Sequence, residues 1–510
     1  MANGANGVHL QLREALENYI KSQYFGKSPI LLSALQGKLD QEGVLYQKPY
    51  VESSPAYKTA PNGIQKSGKL PDWLKDYFTA LSDAKLGVYP APFCHQISAL
   101  EAAQAGQDLF VSTGTGSGKT ECFMWPLMAK LASEARNQPE SWSMRGVRTI
   151  VMYPMNALVS DQVSRLRRLI GDQEHKFVNI FRDTCGMDSR RPQFGMYTGR
   201  TPYAGPEPKR SEDHRLANTY AQMLKAETEE QQEFLDKLIK DGKFPAKEDF
   251  DSFIDKLYHS KHIPNDEDAE LVTRFEMQQF CPDILITNYS MLEYMLLRPR
   301  ENKIWASTQQ WLEADPNNKL LFVIDEAHMY RGSSGGEVSL LLRRLFHRLG
   351  ISRDRVQFIL TTASMPNKDE EDRKAVRTFF NELTASDNMR PFCYLTGERE
   401  EIGGGLACDI PFERFLKEQP EAYEGDDPQR LMAINQFWTG ITGCATPFDT
   451  SEQAYQWLYD HLVDYTPFRL LFEKCRGTAV SLRELAESIF PNQKQEQAIH
   501  AVCVMLAIAP

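Results

Sequence analysis

Short runs of apolar residues, separated by longer amphipathic stretches, recur along most of this chain. Residues 108–111 and 320–324 are such runs. Continuous apolar character is typical of a strand that a parallel sheet buries on both faces. Between residues 86 and about 405 these runs alternate with stretches of helical spacing. The alternation predicts an α/β domain with helices on both faces of a parallel sheet.

Helical patterns dominate on either side of that domain. Residues 1–85 are predicted to form a helical N-terminal region, and residues 406–510 a mostly helical C-terminal region. Ser481 and Glu484 have the spacing of a capping box, which predicts a helix that starts after Ser481. A further helix is expected near residues 493–507. The pair fits the start of a winged-helix unit, although any helical pair has a similar pattern.

One segment inside the α/β domain differs from its surroundings. Residues 207–270 are dense in charge, and Leu224, Leu235 and Ile239 follow helical spacing. The pattern predicts an inserted antiparallel helical hairpin that stands off the sheet. Two readings of this insertion remain open: a solvated decoration, or a guide for a partner or a nucleic-acid strand.

The composition limits the class of protein. The sequence has no run of about twenty apolar residues, so it predicts no membrane span, and its N-terminus does not have the pattern of a signal peptide. The nine cysteines occur singly, which argues against a zinc ribbon and favours a reducing cytoplasm. The net charge of −11 means that any nucleic-acid strand would be held by local loops rather than by the whole surface.

The strongest chemical signal lies directly after the strand predicted at residues 108–111. Residues 112–120 read Ser-Thr-Gly-Thr-Gly-Ser-Gly-Lys-Thr, and glycines in such a loop let backbone N–H groups turn toward a phosphate. We predict an ATP-binding loop formed by Thr115, Gly116, Ser117, Gly118, Lys119 and Thr120. Lys119 would neutralise the phosphates, and Thr120 would bind Mg²⁺. The alternative is a glycine-rich turn without chemical function.

An acidic pair follows the strand predicted at residues 320–324. Asp325 and Glu326 stand at its carboxyl end, where open α/β sheets bind their ligands. Alone, the pair would be read as an ordinary acidic strand end. After a Gly-Lys-Thr loop it predicts ATP hydrolysis, in which Asp325 holds Mg²⁺ and Glu326 orients and deprotonates the attacking water.

The order of these segments resembles the first RecA-like domain of a superfamily 2 DEAD/DEAH-box helicase. Residues 325–328 read Asp-Glu-Ala-His, which implies a catalytic role for His328 as well. Residues 93–96 resemble the Q motif, which implies that Gln96 contacts the adenine of ATP.

Four more segments extend the resemblance. Residues 151–162 resemble motif Ia, residues 197–201 another strand-contacting loop, and residues 282–289 motif Ib. The implied nucleic-acid contacts are Pro154, Asn156, Gly199, Arg200, Thr287 and Asn288. A Thr-Ala-Ser sequence stands where Ser-Ala-Thr usually couples ATP state to domain movement, and its residues are Thr362, Ala363 and Ser364.

Two segments narrow the resemblance to a subgroup. Residues 288–299 and 325–345 resemble the large bacterial helicases that carry a C-terminal domain of unknown function numbered 1998. That group includes repair helicases and the helicase subunits of anti-phage systems such as Druantia and DISARM. The resemblance covers roughly residues 40–400 and implies DNA rather than RNA as the strand.

A superfamily 2 motor also needs a second RecA-like domain with arginine fingers. No segment of that pattern follows Thr361, so we expect a second lobe beyond residue 510 or on another polypeptide, with defence-system subunits as further partners. The expected function is an ATP-dependent helicase or translocase. The alternative is a nucleic-acid-binding platform that holds ATP without doing work. A P-loop phosphotransferase is disfavoured because it leaves residues 153–158 and 287–289 unexplained.

Overall fold

The structure is a computed structural model of the 510-residue chain. It describes residues 5–24, 28–39, 41, 43–47, 49–114, 116–203, 209–226, 228–363, 365, 369–386, 390–400, 409–443 and 448–509. The strands of this part of the chain are β1 (Tyr50–Val51), β2 (Asp108–Ser112), β3 (Thr149–Tyr153), β4 (Phe194–Tyr197), β5 (Glu270–Leu271), β6 (Ile284–Asn288), β7 (Leu320–Ile324), β8 (Val356–Thr362), β9 (Phe392–Thr396) and β10 (Val480–Ser481).

The α-helices of the same residues, in chain order, are α1 (Ala5–Tyr24), α2 (Pro29–Leu39), α3 (Gly63–Lys66), α4 (Asp72–Asp83), α5 (Cys94–Gln104), α6 (Glu121–Asn137), α7 (Pro139–Ser143), α8 (Asn156–Leu169), α9 (Lys176–Cys185), α10 (Arg210–Leu224), α11 (Glu229–Lys240), α12 (Phe250–Tyr258), α13 (Arg274–Gln279), α14 (Tyr289–Leu297), α15 (Asn302–Ala314), α16 (Ser333–Leu349), α17 (Glu370–Leu383), α18 (Phe412–Phe415), α19 (Asp427–Thr442), α20 (Ser451–Leu462), α21 (Thr466–Cys475), α22 (Leu482–Ile489) and α23 (Gln495–Ile508). Among the described residues, no helix has the length and apolar character that crossing a membrane requires.

The chain packs into two compact units. One unit comprises residues 57–398, and the other combines the residues up to 56 with those from 399 onward. The first unit therefore begins before the predicted residue 86, because residues of α4 such as Leu74 and Phe78 lie in its core. The other predicted boundary, near residue 405, lies outside the described residues, and the division into functional domains stays a prediction.

The sheet of the 57–398 unit has the strand order β5-β4-β6-β3-β7-β8-β2-β9. All the pairs between these strands are parallel. Every carboxyl end therefore lies along the same edge of the sheet, and the loops that follow the strands lie side by side. The predicted parallel α/β fold is confirmed.

Helices cover both faces of this sheet, as predicted. Along β2, Leu109 and Val111 contribute to one buried cluster with α4, α5, α6 and α9. Phe110, between them, points into the other cluster, which contains residues of α14, α15, α16 and α17. Successive strand residues face opposite sides, so the consecutive apolar residues Leu109, Phe110 and Val111 anchor both layers.

The predicted helical hairpin at residues 207–270 is wrong in two respects. The segment holds three helices, α10 to α12, and α10 packs on α12 around a small core that includes Ala217, Ile254 and Leu257. Its end belongs to the sheet domain, because Glu270 lies in β5 and Lys247 is fully buried. The predicted hairpin would have left these charged residues exposed to solvent. Lys247 instead pairs with Asp268, and Glu270 with Arg167, inside the domain.

The other unit is mostly helical, in agreement with the sequence. Helices α18 to α23 enclose a core that includes Phe437, Leu458 and Val502. Ser481 and Glu484 form the expected capping box at the start of α22, and α23 follows where the second helix was predicted. A short antiparallel pair, β1 with β10, accompanies them.

Candidate functional site

The predicted site segments occupy two adjacent halves of one sheet edge. The phosphate loop, the acidic pair and the Thr362 segment follow β2, β7 and β8, which are neighbours. The three segments predicted to contact nucleic acid follow β4, β6 and β3, which are also neighbours. The halves meet where β3 pairs with β7, and there the N–H of Asp325 donates to the carbonyl oxygen of Met152 at 3.1 Å.

The phosphate loop connects β2 to α6. Gly116 and Gly118 have φ angles of 75° and 67°, a region that favours glycine. The hydroxyls of Thr113 and Ser117 are 2.6 Å apart and close the loop from within. Thr120 precedes α6 directly, as expected of a residue at the helix N-terminus, where anions are bound. Thr115 lies outside the described residues.

Gln96 holds the phosphate loop from the side. Its Nε2 donates to the carbonyl oxygen of Gly118 at 3.1 Å, and its Oε1 accepts from the N–H of Phe93 at 2.9 Å. The side chain is buried. A Cβ at Gly118 would lie 2.2 Å from Nε2 of Gln96, so it would force that side chain to move. The residue predicted to contact adenine is thus also joined to the phosphate loop.

Two residues that the sequence did not indicate also support the loop. The hydroxyl of Tyr57 accepts a hydrogen bond from the N–H of Gly114 at 2.7 Å. His95 lies with its Nε2 2.8 Å from the carbonyl oxygen of Ser117, and its ring stacks on Phe93. Tyr57 is 57 residues away from the loop in sequence, so no local motif could have revealed it.

A cavity of about 990 Å³ opens beside the phosphate loop. Its lining includes Phe93, Gln96, Gly118, Thr120 and Arg168. Ligand pockets typically have volumes of about 300–1,000 Å³, so the cavity is large enough for a nucleoside. It adjoins both the predicted adenine contact and the predicted phosphate contacts.

Asp325 lies at the end of β7 in a buried position. The hydroxyl of Thr361 donates to its Oδ1, and the N–H of Glu326 donates to the same oxygen at 2.9 Å. Burial raises the pKa of Asp325 above its ordinary value, because a low-dielectric setting disfavours the charged form. A cation bound here would favour the carboxylate.

Glu326 connects the acidic pair to the phosphate loop. Its Oε1 is 3.7 Å from Nζ of Lys119, and its Oε2 is 3.3 Å from Nδ1 of His328. Oε2 is buried and accepts no hydrogen bond within the described part of the chain. The backbone of Glu326 has a φ of 51°, an uncommon value for a residue other than glycine and one that is often found at functional sites.

His328 reaches the segment that was predicted to couple ATP state to movement. Its Nδ1 lies 3.2 Å from the hydroxyl of Thr362. The carbonyl oxygen of Thr362 also accepts from the N–H of Thr113 at 3.2 Å. Thr362 therefore contacts both the DEAH segment and the phosphate loop. Ala363 follows directly at the end of β8, and Ser364 lies outside the described residues.

Two of the residues predicted to contact nucleic acid bind each other. Nδ2 of Asn288 donates to Oδ1 of Asn156 at 2.6 Å, and Oδ1 of Asn288 accepts from the N–H of Met291 at the start of α14. Asn156 begins α8 directly after Pro154 and Met155. The motif Ia and motif Ib segments therefore form one continuous polar edge.

The remaining predicted contacts differ in exposure. Gly199 and Arg200 lie exposed in the turn after β4. Thr287, in contrast, is fully buried, and its hydroxyl donates to the carbonyl oxygen of Tyr197 at 2.8 Å. Its side chain thus joins β6 to β4 and is not presented to a ligand. The period-2 alternation of a strand explains this, since Asn288 occupies the next position.

Two arginines that follow the motif Ia segment form ion pairs with different acidic residues. Arg167 makes a two-pronged ion pair with Glu270, with both N···O distances 2.7 Å. Arg165 lies 3.3 Å from Glu121. The Arg167 side chain is largely buried and connects α8 to the sheet edge.

Comparisons with known proteins agree with the resemblance to DEAD/DEAH-box helicases. Residues 94–220 match the DEAD/DEAH box helicase family. The Druantia protein DruE of Escherichia coli (strain UMEA 4076-1) is 36% identical over 546 residues, which cover 99% of this chain and 28% of that protein. An uncharacterized ATP-dependent helicase, MJ1574 of Methanocaldococcus jannaschii, is 29% identical over 103 residues, covering 20% of this chain and 14% of that protein. The chain thus spans about 28% of the length of DruE.

A solved structure resembles this chain at a lower sequence identity. The DUF1998 helicase MrfA bound to DNA has a TM-score of 0.36 and 18% identity, covering 81% of this chain and 44% of that chain. This likeness is too remote to support a functional inference. The family match and the long alignment with DruE agree with the parallel sheet, the phosphate loop and the DEAH segment. The chain therefore contains a DEAD/DEAH box helicase domain, which the family match places at residues 94–220.

Proposed function

We propose that this chain is the first motor lobe of an ATP-dependent DNA helicase or translocase. One observation carries the proposal: Lys119 and Glu326 lie 3.7 Å apart on the half of the sheet edge that borders, at the β7–β3 pair, the half that carries Asn156 and Asn288. An ATP-hydrolysing group and a strand-contacting edge thus share one rigid support, which is what conversion of hydrolysis into movement requires.

The residues around the acidic pair fit Mg-ATP. Asp325 is a buried carboxylate without an ion pair among the described residues, and a buried carboxylate needs a nearby positive charge. Thr120 lines the adjacent cavity. Thr120 and Asp325 would hold Mg²⁺, which supplies charge neutralisation at the phosphates when bound. Gly116, Ser117 and Gly118 would present N–H groups to the phosphates, and Gln96 would contact the adenine.

Glu326 is the proposed base. Its Oε2 accepts no hydrogen bond from the described residues and is free to accept a proton from water. Lys119 faces its other oxygen, with Nζ 3.7 Å from Oε1. His328 and Thr362 would couple the state of ATP at Glu326 to domain movement, because His328 lies near both Glu326 and Thr362.

Nucleic acid would bind along the other half of the sheet edge. Pro154, Asn156, Gly199, Arg200 and Asn288 would contact phosphates rather than bases, so affinity would depend on salt more than on sequence. The backbone of Thr287, not its buried side chain, would take part. DNA is proposed rather than RNA because residues 288–299 and 325–345 resemble the bacterial group that includes repair and anti-phage helicases.

A second RecA-like lobe, in the same polypeptide or another, would complete the ATP site with arginines. DruE is much longer than this chain, which supports such a lobe. Further defence-system subunits as partners and a cytoplasmic location remain predictions. The alternative, a platform that binds ATP and DNA without movement, differs in one measurable respect. A motor hydrolyses ATP faster when DNA is present.

The test is the ATPase rate of the full-length protein with and without single-stranded DNA. We expect stimulation by DNA, and Lys119→Ala should show no activity above background, because the phosphates lose their cationic partner. A wild-type rate that DNA leaves unchanged, with DNA binding intact, would favour the platform. The same rate in wild type and Lys119→Ala would locate the ATPase elsewhere.

A further inference from the structure

The insertion α10–α12 forms a cleft with a loop that is predicted to contact the strand. This cleft has a volume of about 410 Å³ and lies between residues 200–203, which follow β4, and one side of α10. Arg200 and Arg215 line it from opposite elements, together with Thr219 and Glu212. Because β4 is the neighbour of β6, the cleft continues the edge on which Asn288 lies.

The two arginines differ from several other arginines of the same domain. Arg167, Arg182 and Arg190 each bind a carboxylate through their guanidinium groups. Arg200 and Arg215 are exposed, and neither forms an ion pair with any residue that the structure describes. Two arginines against one glutamate leave a net positive charge of about one, which matches a single phosphodiester.

The cleft has rigid walls. On the loop side, Nη2 of Arg274 donates to the carbonyl oxygen of Thr198 at 2.9 Å. On the helix side, Asp213 is fully buried, and its Oδ1 lies 3.1 Å from Nε2 of His262. The ring of His262 meets the ring of Tyr203 edge to face, with centroids 5.2 Å apart.

These contacts fix Arg215 relative to Arg200. Asp213 and Arg215 are two positions apart on α10, so they point to different sides of the helix. While Asp213 anchors α10 toward His262, Arg215 remains exposed beside the loop. The backbone positions of both arginines are therefore set before a phosphate binds, which lowers the entropic cost of forming the site.

We propose that this cleft binds a backbone phosphate of the DNA strand, next to the contacts of the motif Ia and motif Ib segments. The insertion is then part of the strand interface rather than a decoration. This inference rests on the proposed DNA-binding function and adds a contact that lies outside the helicase motifs.

The test compares single arginine substitutions in the full-length protein, with a fluorescent oligodeoxythymidine as the probe. Arg215→Gln and Arg200→Gln should each weaken binding on the order of fivefold at low salt. Each should also reduce the slope of log affinity against log salt by about 0.7, the value for one phosphate contact on a single strand. Arg215→Lys should recover most of the affinity because it keeps the charge.

Arg377→Gln is the matched control, because Arg377 is an exposed arginine on α17, outside this cleft. It should leave both the affinity and the slope unchanged. Melting temperatures of the variants should equal that of the wild type, since the side chains are exposed. Unchanged affinity and slope in Arg215→Gln would overturn the inference and leave the cleft to another anionic partner.

A double variant, Asn156→Ala with Asn288→Ala, separates this inference from the proposed function. If the double variant loses binding while Arg215→Gln does not, only the phosphate cleft is refuted. If Arg215→Gln loses affinity and the double variant does not, the cleft stands and the motif loops are reassigned. If the wild-type protein binds no DNA, the proposed function and the cleft fail together.

Discussion

Asp283 and Arg190 form a two-pronged ion pair inside the sheet domain, with both N···O distances 2.7 Å. Asp283 is fully buried, and it also accepts from Arg148 at 3.1 Å and from the N–H of Gln193 at 2.9 Å. All these residues precede their strands, so the network lies at the amino edge, opposite the candidate site. The first carboxylate of the motif Ib segment is therefore structural.

Asp283→Asn should lower the free energy of unfolding by about 3–5 kcal/mol, because it leaves buried guanidinium groups without their carboxylate. Asp266→Asn is the matched control: Asp266 pairs with Arg145 but its side chain is 64% exposed, so the change should cost at most about 1 kcal/mol. Urea denaturation of both variants measures the difference. Equal losses would show that the buried network does not stabilise the domain.

The same pair predicts how stability depends on pH. Burial alone would raise the pKa of Asp283, but Arg190 and then Arg148 and Arg145 lower it below its ordinary value. A lowered folded-state pKa adds stability that is present above the unfolded pKa of about 3.9. That stability is lost as the pH falls through the folded pKa. The difference in free energy of unfolding between the wild type and Asp283→Asn should therefore shrink below about pH 4.

Glu326→Gln should bind ATP with near wild-type affinity and lose hydrolysis by roughly 10²–10⁴-fold, because an amide cannot accept the proton of the attacking water. Fluorescent-nucleotide binding and phosphate release measure the two effects in the full-length protein. Glu337→Gln, a carboxylate on α16 away from Lys119, should leave both unchanged. Wild-type turnover in Glu326→Gln would assign the base to another residue.

Gly118→Ala should lower ATP affinity by roughly tenfold or more. The backbone at Gly118 has a φ of 67°, which costs an L-residue about 1–2 kcal/mol, and the new Cβ would displace Gln96. Gly199→Ala is the control for nucleotide binding, since a Cβ there meets no atom within 4 Å. Isothermal titration with an ATP analogue would test the pair, and equal affinities would show that the loop adapts to a side chain.

Lys247→Ala should destabilise the domain by about 3–5 kcal/mol. Nζ of Lys247 lies 3.0 Å from Asp268 and 2.5 Å from Glu276, so its loss leaves two buried carboxylates together. Lys237→Ala on the exposed side of α11 should change stability by less than about 0.5 kcal/mol. Thermal melting would compare them. Similar melting temperatures would mean that the end of the insertion is separate from the core.

The local sequence was enough to predict those parts of the site that lie within a single loop. Gly118 and Lys119 follow a strand directly, and Asp325 follows another, so strand, turn and chemistry could be predicted together. The contact of Tyr57 with Gly114 could not, because it depends on how distant segments pack. The burial of the Thr287 side chain could not be predicted for a related reason: its motif points to a ligand, but the strand turns its hydroxyl toward Tyr197.

The insertion shows a different limit. Charge density at residues 207–270 predicted exposure, and this holds for α11, where most residues are exposed. It does not hold for Lys247 or Glu270, whose charges are balanced inside the domain by Asp268 and Arg167. A sequence gives the charge of a residue but not the position of the opposite charge that pairs with it. A buried ion pair therefore has the same sequence pattern as two exposed surface residues.

The arrangement of the strands has a consequence for how such a chain can diversify. The ATP-binding loops occupy one end of the β5-β4-β6-β3-β7-β8-β2-β9 order, and the proposed strand-binding loops occupy the other. Only the β3–β7 border belongs to both. Insertions such as α10–α12 can therefore be acquired, enlarged or lost after β4 without disturbing the chemistry at Lys119 and Glu326. The same ATP-hydrolysing site can in this way be combined with different strand-binding loops.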